Sequence, residues 1–196
     1  MEFSGEFKSS FTALRDSVNG ANGHYQVWFT LRGKSKALDA HYDDMNEPGY
    51  VDFFKAVNIA NYKMMFVEIG CIFDTDDKSH RFRDFKELLE KEGCSELVEL
   101  AKERIGPYSD LVSNLLTIRS KIVAHKEKAV SPQELYKKHG IKPDDIGSLL
   151  NDLAEFMHEV EQVLNGGASW SSIAPTDRWE RATWNMLSVL HKGRLS

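Results

Sequence analysis

Arg119 and His125 stand six residues apart near the end of the stretch PYSDLVSNLLTIRSKIVAHKEK, residues 107–128. An imidazole takes up and returns a proton near neutral pH. A guanidinium binds two oxygens of one anion at once. Together they suit acid–base work beside a developing negative charge. The element that must hold them is a helix, with Pro107 just ahead of it and Ser109 or Asp110 near its start. At about 100° per residue, Leu111, Val112, Leu115, Leu116, Ile118, Ile122 and Val123 fill half its circumference. Ser113, Asn114, Thr117, Ser120, Lys121, Ala124, Glu127 and Lys128 fill the other half. Arg119 falls inside the apolar half and His125 at its edge. An unpaired buried guanidinium costs several kcal/mol, so Arg119 requires a buried acid, a ligand or a subunit boundary. Glu68, which interrupts the densest apolar part of an earlier helix, is either that acid or an exposed or lysine-paired one.

An Arg followed by His at this spacing near a helix end resembles the R-x4-6-H motif of the HEPN superfamily. A second stretch, IGCIFDTDDKSHRF at 69–82, resembles the helix ending in a Leu/Ile-Phe-Asp turn in the AbiU-type abortive-infection branch of that superfamily. The two resemblances span roughly residues 50–165. They imply an all-α, HEPN-like antiparallel helical bundle and a metal-independent endoribonuclease that needs no cofactor. In that reaction the ribose 2′-hydroxyl attacks the adjacent phosphorus, leaving a cyclic phosphate and a free 5′-hydroxyl. His125 would handle the proton and Arg119 the charge on the non-bridging oxygens. The 2′-hydroxyl makes the target RNA. Ser120 departs from the pattern, since relatives more often carry Asn, Asp or His after the Arg. That departure favours the alternative, a non-catalytic helical dimer that binds RNA or a protein. A third reading is a nucleotide-binding member of a toxin–antitoxin pair, and an antitoxin or defence-system partner fits the family.

The bulk composition agrees with a local site rather than a nucleic-acid coat. The chain has 196 residues, a net charge of −5 and 41% apolar residues, enough for one domain with a core. Residues 119–142 go against this balance: seven Lys or Arg against two acids, net +5. They are either a solvated basic stretch suited to a helix C-terminus or an RNA-backbone track. On the second reading Lys121 and Lys126 lie nearest the chemistry, with Lys128, Lys137, Lys138 and Lys142 beyond. One chain supplies one Arg and one His, so a two-fold dimer through the 109–128 helix would bring two of each into one cleft. Cys71 and Cys94 are expected to be reduced thiols. The chain opens without an apolar signal segment, and its longest apolar run, MMFVEIGCIF, is too short to span a bilayer. A cytoplasmic protein without membrane contact is expected.

The rest of the chain reads as helices. Phe3, Phe7, Phe11, Leu14 and Val18 recur at helical spacing, with Asn19-Gly20 as a stop. Residues 24–31 form a further helix, so the N-terminal helices cover 3–34, and Glu47-Pro48-Gly49 is a turn. From Val51 to Phe73 the expected core face is Phe53, Phe54, Val57, Ala60, Met64, Val67 and Cys71. Asp74-Thr75-Asp76-Asp77 caps that helix, because Lys78, Ser79 and Phe85 fail a calcium-loop template. Helices follow over 79–92, with Phe82, Phe85, Leu88 and Leu89 inward, and over 95–105. A short helix opens at Ser131-Pro132-Gln133-Glu134 and Gly140 ends it. Another runs from Pro143 to Leu164, and a last one over 176–191. Trp170, Trp179 and Trp184 read as docking residues more readily than as base-stacking platforms. His158 belongs to a charge network with Glu155, Glu159 and Glu161. His24, His41, His80, His139 and His191 have no convergent partners in sequence, and no metal site is expected. The result is one domain over 1–196, with a core at about 50–165 and terminal helices packed on it.

Overall fold

The computed structural model describes residues 3–32, 39–74, 81–121, 137–167 and 171–195. Among these every regular element is helical: α1 (Gly5–Arg32), α2 (Tyr42–Asn46), α3 (Val51–Phe73), α4 (Phe82–Lys91), α5 (Ser95–Ile105), α6 (Ser109–Arg119), α7 (Pro143–Leu164) and α8 (Arg178–Leu195). The all-α expectation holds. No helix among the described residues is long and apolar enough to cross a membrane.

α1 is the hub, packing against α3, α4, α7 and α8. Its stripe Phe3, Phe7, Phe11, Leu14 and Val18 is buried as the spacing requires. Phe7 stacks on Phe85 of α4 with ring centroids 5.2 Å apart. Burying one such side chain contributes on the order of 2–3 kcal/mol. The expected stop at Asn19-Gly20 is not there, and α1 continues for 28 residues. These small and amide residues are packing positions instead. Gly20 makes room for the Glu68 side chain and Gly23 for the Trp179 indole. Asn19 bonds Ser172 O and Ala174 N, and Asn22 donates to Leu150 O at 3.2 Å. With those partners in place, neither Asn nor Gly ends the helix.

α3 runs antiparallel to α1. Asn58 lies against Trp28, Asn61 against His24 and Glu68 against Gly20, in reverse order along the two helices. Its core face differs from the expected one. Phe54, Asn58, Met65, Phe66, Ile69, Gly70 and Ile72 are buried, whereas Phe53 and Met64 are 60% and 39% exposed and Cys71 is exposed. α3 is apolar nearly all round, so periodicity alone does not choose a face. The neighbours α1 and α6 choose it. The strongly amphipathic helices follow expectation: Phe82, Phe85, Leu88 and Leu89 on α4, and Ile146, Leu149, Leu150, Leu153, Phe156, Met157 and Val160 on α7, are buried. α7 also closes on α1, where Gly147 admits the Tyr25 hydroxyl.

A second, smaller core holds Leu31, Met45, Phe54 and Leu187, with Trp184 against it. The link from α7 to α8 is fixed by Glu161, which is 3% exposed rather than part of a surface network with His158. It accepts bonds from Ser171 Oγ at 2.7 Å, from Ser172 N at 2.9 Å and from Ser172 Oγ. Burial alone would raise its pKa; the Ser172 and Ser171 hydrogen bonds, with Arg15 nearby, outweigh burial and hold it below the usual range. A depressed folded-state pKa stabilises above the unfolded value of about 4.3 and loses that contribution as pH falls through the folded value. Glu161→Gln should therefore cost about 1–3 kcal/mol at neutral pH. In urea unfolding, its gap from the wild type should close below pH ~4. A gap that persists unchanged in acid would contradict this.

Candidate functional site

A 3-10 turn at Gly106–Tyr108, with Pro107 inside it, delivers the chain into α6. Asp110 in the first turn complements the helix dipole. Leu115 and Ile118 are fully buried, and Leu111 and Val112 pack half-buried on the main core. Those four set the rotation of α6 and bring Arg119, next to Ile118, over the end of α3.

Arg119 sits where α3 has no side chain. A Cβ on Gly70 would lie 2.5–2.7 Å from the guanidinium, so only glycine leaves it this seat. One turn later α3 ends at Asp74, which leaves the helix with extended backbone while its N–H still bonds Gly70 O at 2.8 Å. The Asp74 carboxylate accepts a hydrogen bond from Arg119 Nη1 and forms an ion pair with it. The side chains of Arg119 and Asp74 remain 34% and 32% exposed. The guanidinium is thus neither fully buried nor paired to Glu68, which lies against Gly20 between α1 and α3 instead. Ile69-Gly70-Cys71-Ile72-Phe73-Asp74 and the Arg of the helix motif, two stretches 45 residues apart, meet at one point.

The helix changes character just past Arg119, with Ser120 and Lys121 in a π turn. Single π turns inside helices recur at functional sites. Ser120 is exposed and Lys121 half-buried. His125, Lys126 and Lys128 lie outside the described residues, as do the Ser131 cap and Trp170. The basic stretch resumes with exposed Lys137, Lys138 and Lys142. This segment is tied to α6 through His139 Nδ1 and Asn114 Oδ1 at 3.0 Å.

Sequence reading missed Asp74 as the partner of Arg119, although it lies in the very turn that carried the second resemblance. It also missed a group of cations around a cavity of about 310 Å³ that opens at Phe73. Arg81, Arg83, Lys86 and Lys102 line it with Phe82 and Val112. Arg81 is 6% exposed and bonds Asp84 at 2.6 Å, Lys86 lies 5.6 Å over the Phe82 ring, and Lys102 bonds Glu99 at 2.7 Å. No regular spacing marks these four cations, because they come from two helices and a helix entry. Beside the site, burial pushes the Cys71 thiol up, with Glu68 adding to the rise and Arg119 opposing it. A raised thiol pKa makes it a poor nucleophile.

The family model AbiU2, of the HEPN type, matches residues 5–182, which include α1 through the start of α8 and both stretches that meet at Arg119. No curated protein and no solved structure matches the chain significantly. The match covers most of the chain, and the protein belongs to the AbiU2 family of HEPN domains.

Proposed function

We propose that this chain is a metal-independent endoribonuclease of the HEPN type, acting in abortive infection. One observation carries the reading. Arg119 is held by Gly70 and Asp74 at a point open to solvent, where the two family stretches converge. The ribose 2′-oxygen attacks phosphorus and gives its proton to an imidazole. The 5′-oxygen leaves and takes a proton, so the products are a 2′,3′-cyclic phosphate and a 5′-hydroxyl. His125 is assigned the proton transfer. Arg119 is assigned the charge that builds on the non-bridging oxygens, which a guanidinium stabilises more strongly than the ground state. The second reading, a non-catalytic RNA- or protein-binding dimer, draws support from Ser120 and from the Asp74 carboxylate that already neutralises Arg119.

The catalytic reading is checked in chelator. His125→Ala and Arg119→Ala should each lower cleavage roughly 100-fold or more. Because the Arg119–Asp74 pair is a third exposed, Arg119→Ala should cost only about 1 kcal/mol of stability. Gly70→Ala supplies a sharper test. Its methyl group displaces the guanidinium without removing any charge, so cleavage should fall with little change in melting. Full cleavage by any of the three contradicts the assignment.

The RNA path is assigned to Lys121, Lys126, Lys128, Lys137, Lys138 and Lys142, and to the cations around the Phe73 cavity. Reversing Lys137, Lys138 and Lys142 to Glu should weaken RNA binding and flatten its dependence on salt. Unchanged binding at low salt would return that surface to simple solvation.

A homodimer completes the cleft. Apolar residues stay open to solvent on both helices that carry the ion pair. Phe53, Ala60, Met64 and Cys71 fall within about 20° of one line along α3, and Leu116 lies one turn before Arg119, half-exposed. A second copy laid on these faces covers both and brings two Arg119 residues together. Phe53→Asp with Met64→Asp should give a folded monomer by light scattering, with cleavage lost. A wild-type chain that is monomeric at micromolar concentration would remove the shared cleft.

A further inference from the structure

We infer that His41, Asp44 and His191 form a zinc site that clamps the C-terminal helix α8 to α2, on the second core. His41 ends the approach to α2, Asp44 lies inside α2, and His191 comes from α8, 147 residues on from Asp44. Sequence reading found no partner for either histidine; the fold supplies one partner for both. His41 Nδ1 lies 3.0 Å and His191 Nδ1 2.9 Å from the same carboxylate oxygen, Asp44 Oδ2. All three ligand atoms lie within 4.8 Å of one another. Tetrahedral ligand atoms about 2.0–2.2 Å from one zinc ion sit roughly 3.3–3.6 Å from one another, and small shifts from the present spacing would reach that.

The surroundings favour a preformed site. Asp44 is 2% exposed and His41 8%, so two ligands are locked by packing. The Trp184 ring meets His41 edge-on at 5.9 Å and fixes that imidazole's plane. The other carboxylate oxygen, Oδ1, faces Arg194 at 3.2 Å. Arg194 thus sets its charge beside Oδ1 without a hydrogen bond to it, while Oδ2 faces the two imidazoles. Its charge has a second outlet in Glu47 at 3.4 Å. His191 is 43% exposed, which gives the ion an entry route and a water the fourth position. Each imidazole binds as its neutral form with the proton on Nε2. Two imidazoles and one carboxylate suit a borderline ion over magnesium or calcium, which prefer oxygen ligands. The site is structural and independent of the proposed cleavage, which stays assigned to Arg119 and His125.

The test uses untagged protein with Cys71→Ser and Cys94→Ser, so that thiols do not compete. Zinc is titrated against a chromophoric chelator, and helix content is followed by circular dichroism. One zinc should bind per chain and raise the melting midpoint by several degrees. His191→Ala, at a half-exposed position that leaves the fold intact, should weaken binding by at least roughly tenfold and abolish the midpoint shift. His41→Gln should do the same. Cobalt in place of zinc should show visible d–d absorption that the His191 variant lacks. Absence of bound zinc in the parent protein, or equal uptake by folded His191→Ala protein, would overturn the site.

Discussion

The bundle depends on how closely other helices can approach α1. α1 touches α3, α4, α7 and α8, none of its residues from Ser17 to Leu31 is fully exposed, and over Asn19–Gly23 side-chain bulk would hold its neighbours away. Gly20 and Gly23 remove that bulk where Glu68 and Trp179 come closest. Asn19 and Asn22 meanwhile satisfy backbone groups of the α7–α8 connection and of α7 itself. Each buried amide that bonds a neighbour's backbone avoids a desolvation penalty of about 1–3 kcal/mol.

That packing fixes α3, and α3 fixes the candidate site. Once Met65, Phe66, Ile69 and Ile72 face inward, Gly70 and Asp74 take the positions that receive Arg119. α6 is turned from its own side by Leu115 and Ile118. The ion pair is therefore a consequence of two helix rotations, each set by apolar burial, and not of attraction between the charges. A third-exposed pair is worth too little to orient a helix. It is well suited to hold a guanidinium at the surface, where a phosphate group can reach it.

The all-α class, the family, and the helices α4, α5 and α7 were legible because strong amphipathic stripes and Gly or Pro stops agree there. Gly93, Gly140, Gly166 and Gly167 stand at helix ends with positive φ, the conformation that a glycine stop signals. The same reasoning failed at Asn19-Gly20, because glycine also serves close helix packing and local sequence does not separate the two uses. It chose the wrong stripe on α3, where apolar residues on nearly every side leave periodicity without contrast. Arg119 reads in sequence as needing a buried acid, a ligand or a subunit boundary, with Glu68 one candidate acid and Asp74 only a helix cap. Glu68 is a candidate because it interrupts an apolar helix, whereas the pairing comes from the residue just past the end of that helix. His41 and His191 were passed over because nothing local links positions 150 residues apart. Only the docking of α8 brings them to Asp44.

In the proposed reaction Arg119 and His125 cleave RNA through its own 2′-hydroxyl. The most direct measurement is end-group analysis by mass spectrometry of an RNA cut in chelator, beside the same RNA carrying a single 2′-deoxy residue at the cut position. The proposed reaction yields 2′,3′-cyclic phosphate and 5′-hydroxyl ends on the first, and no cut at the substituted position of the second. Ends bearing a 5′-phosphate, or undiminished cleavage at the deoxy position, would contradict it.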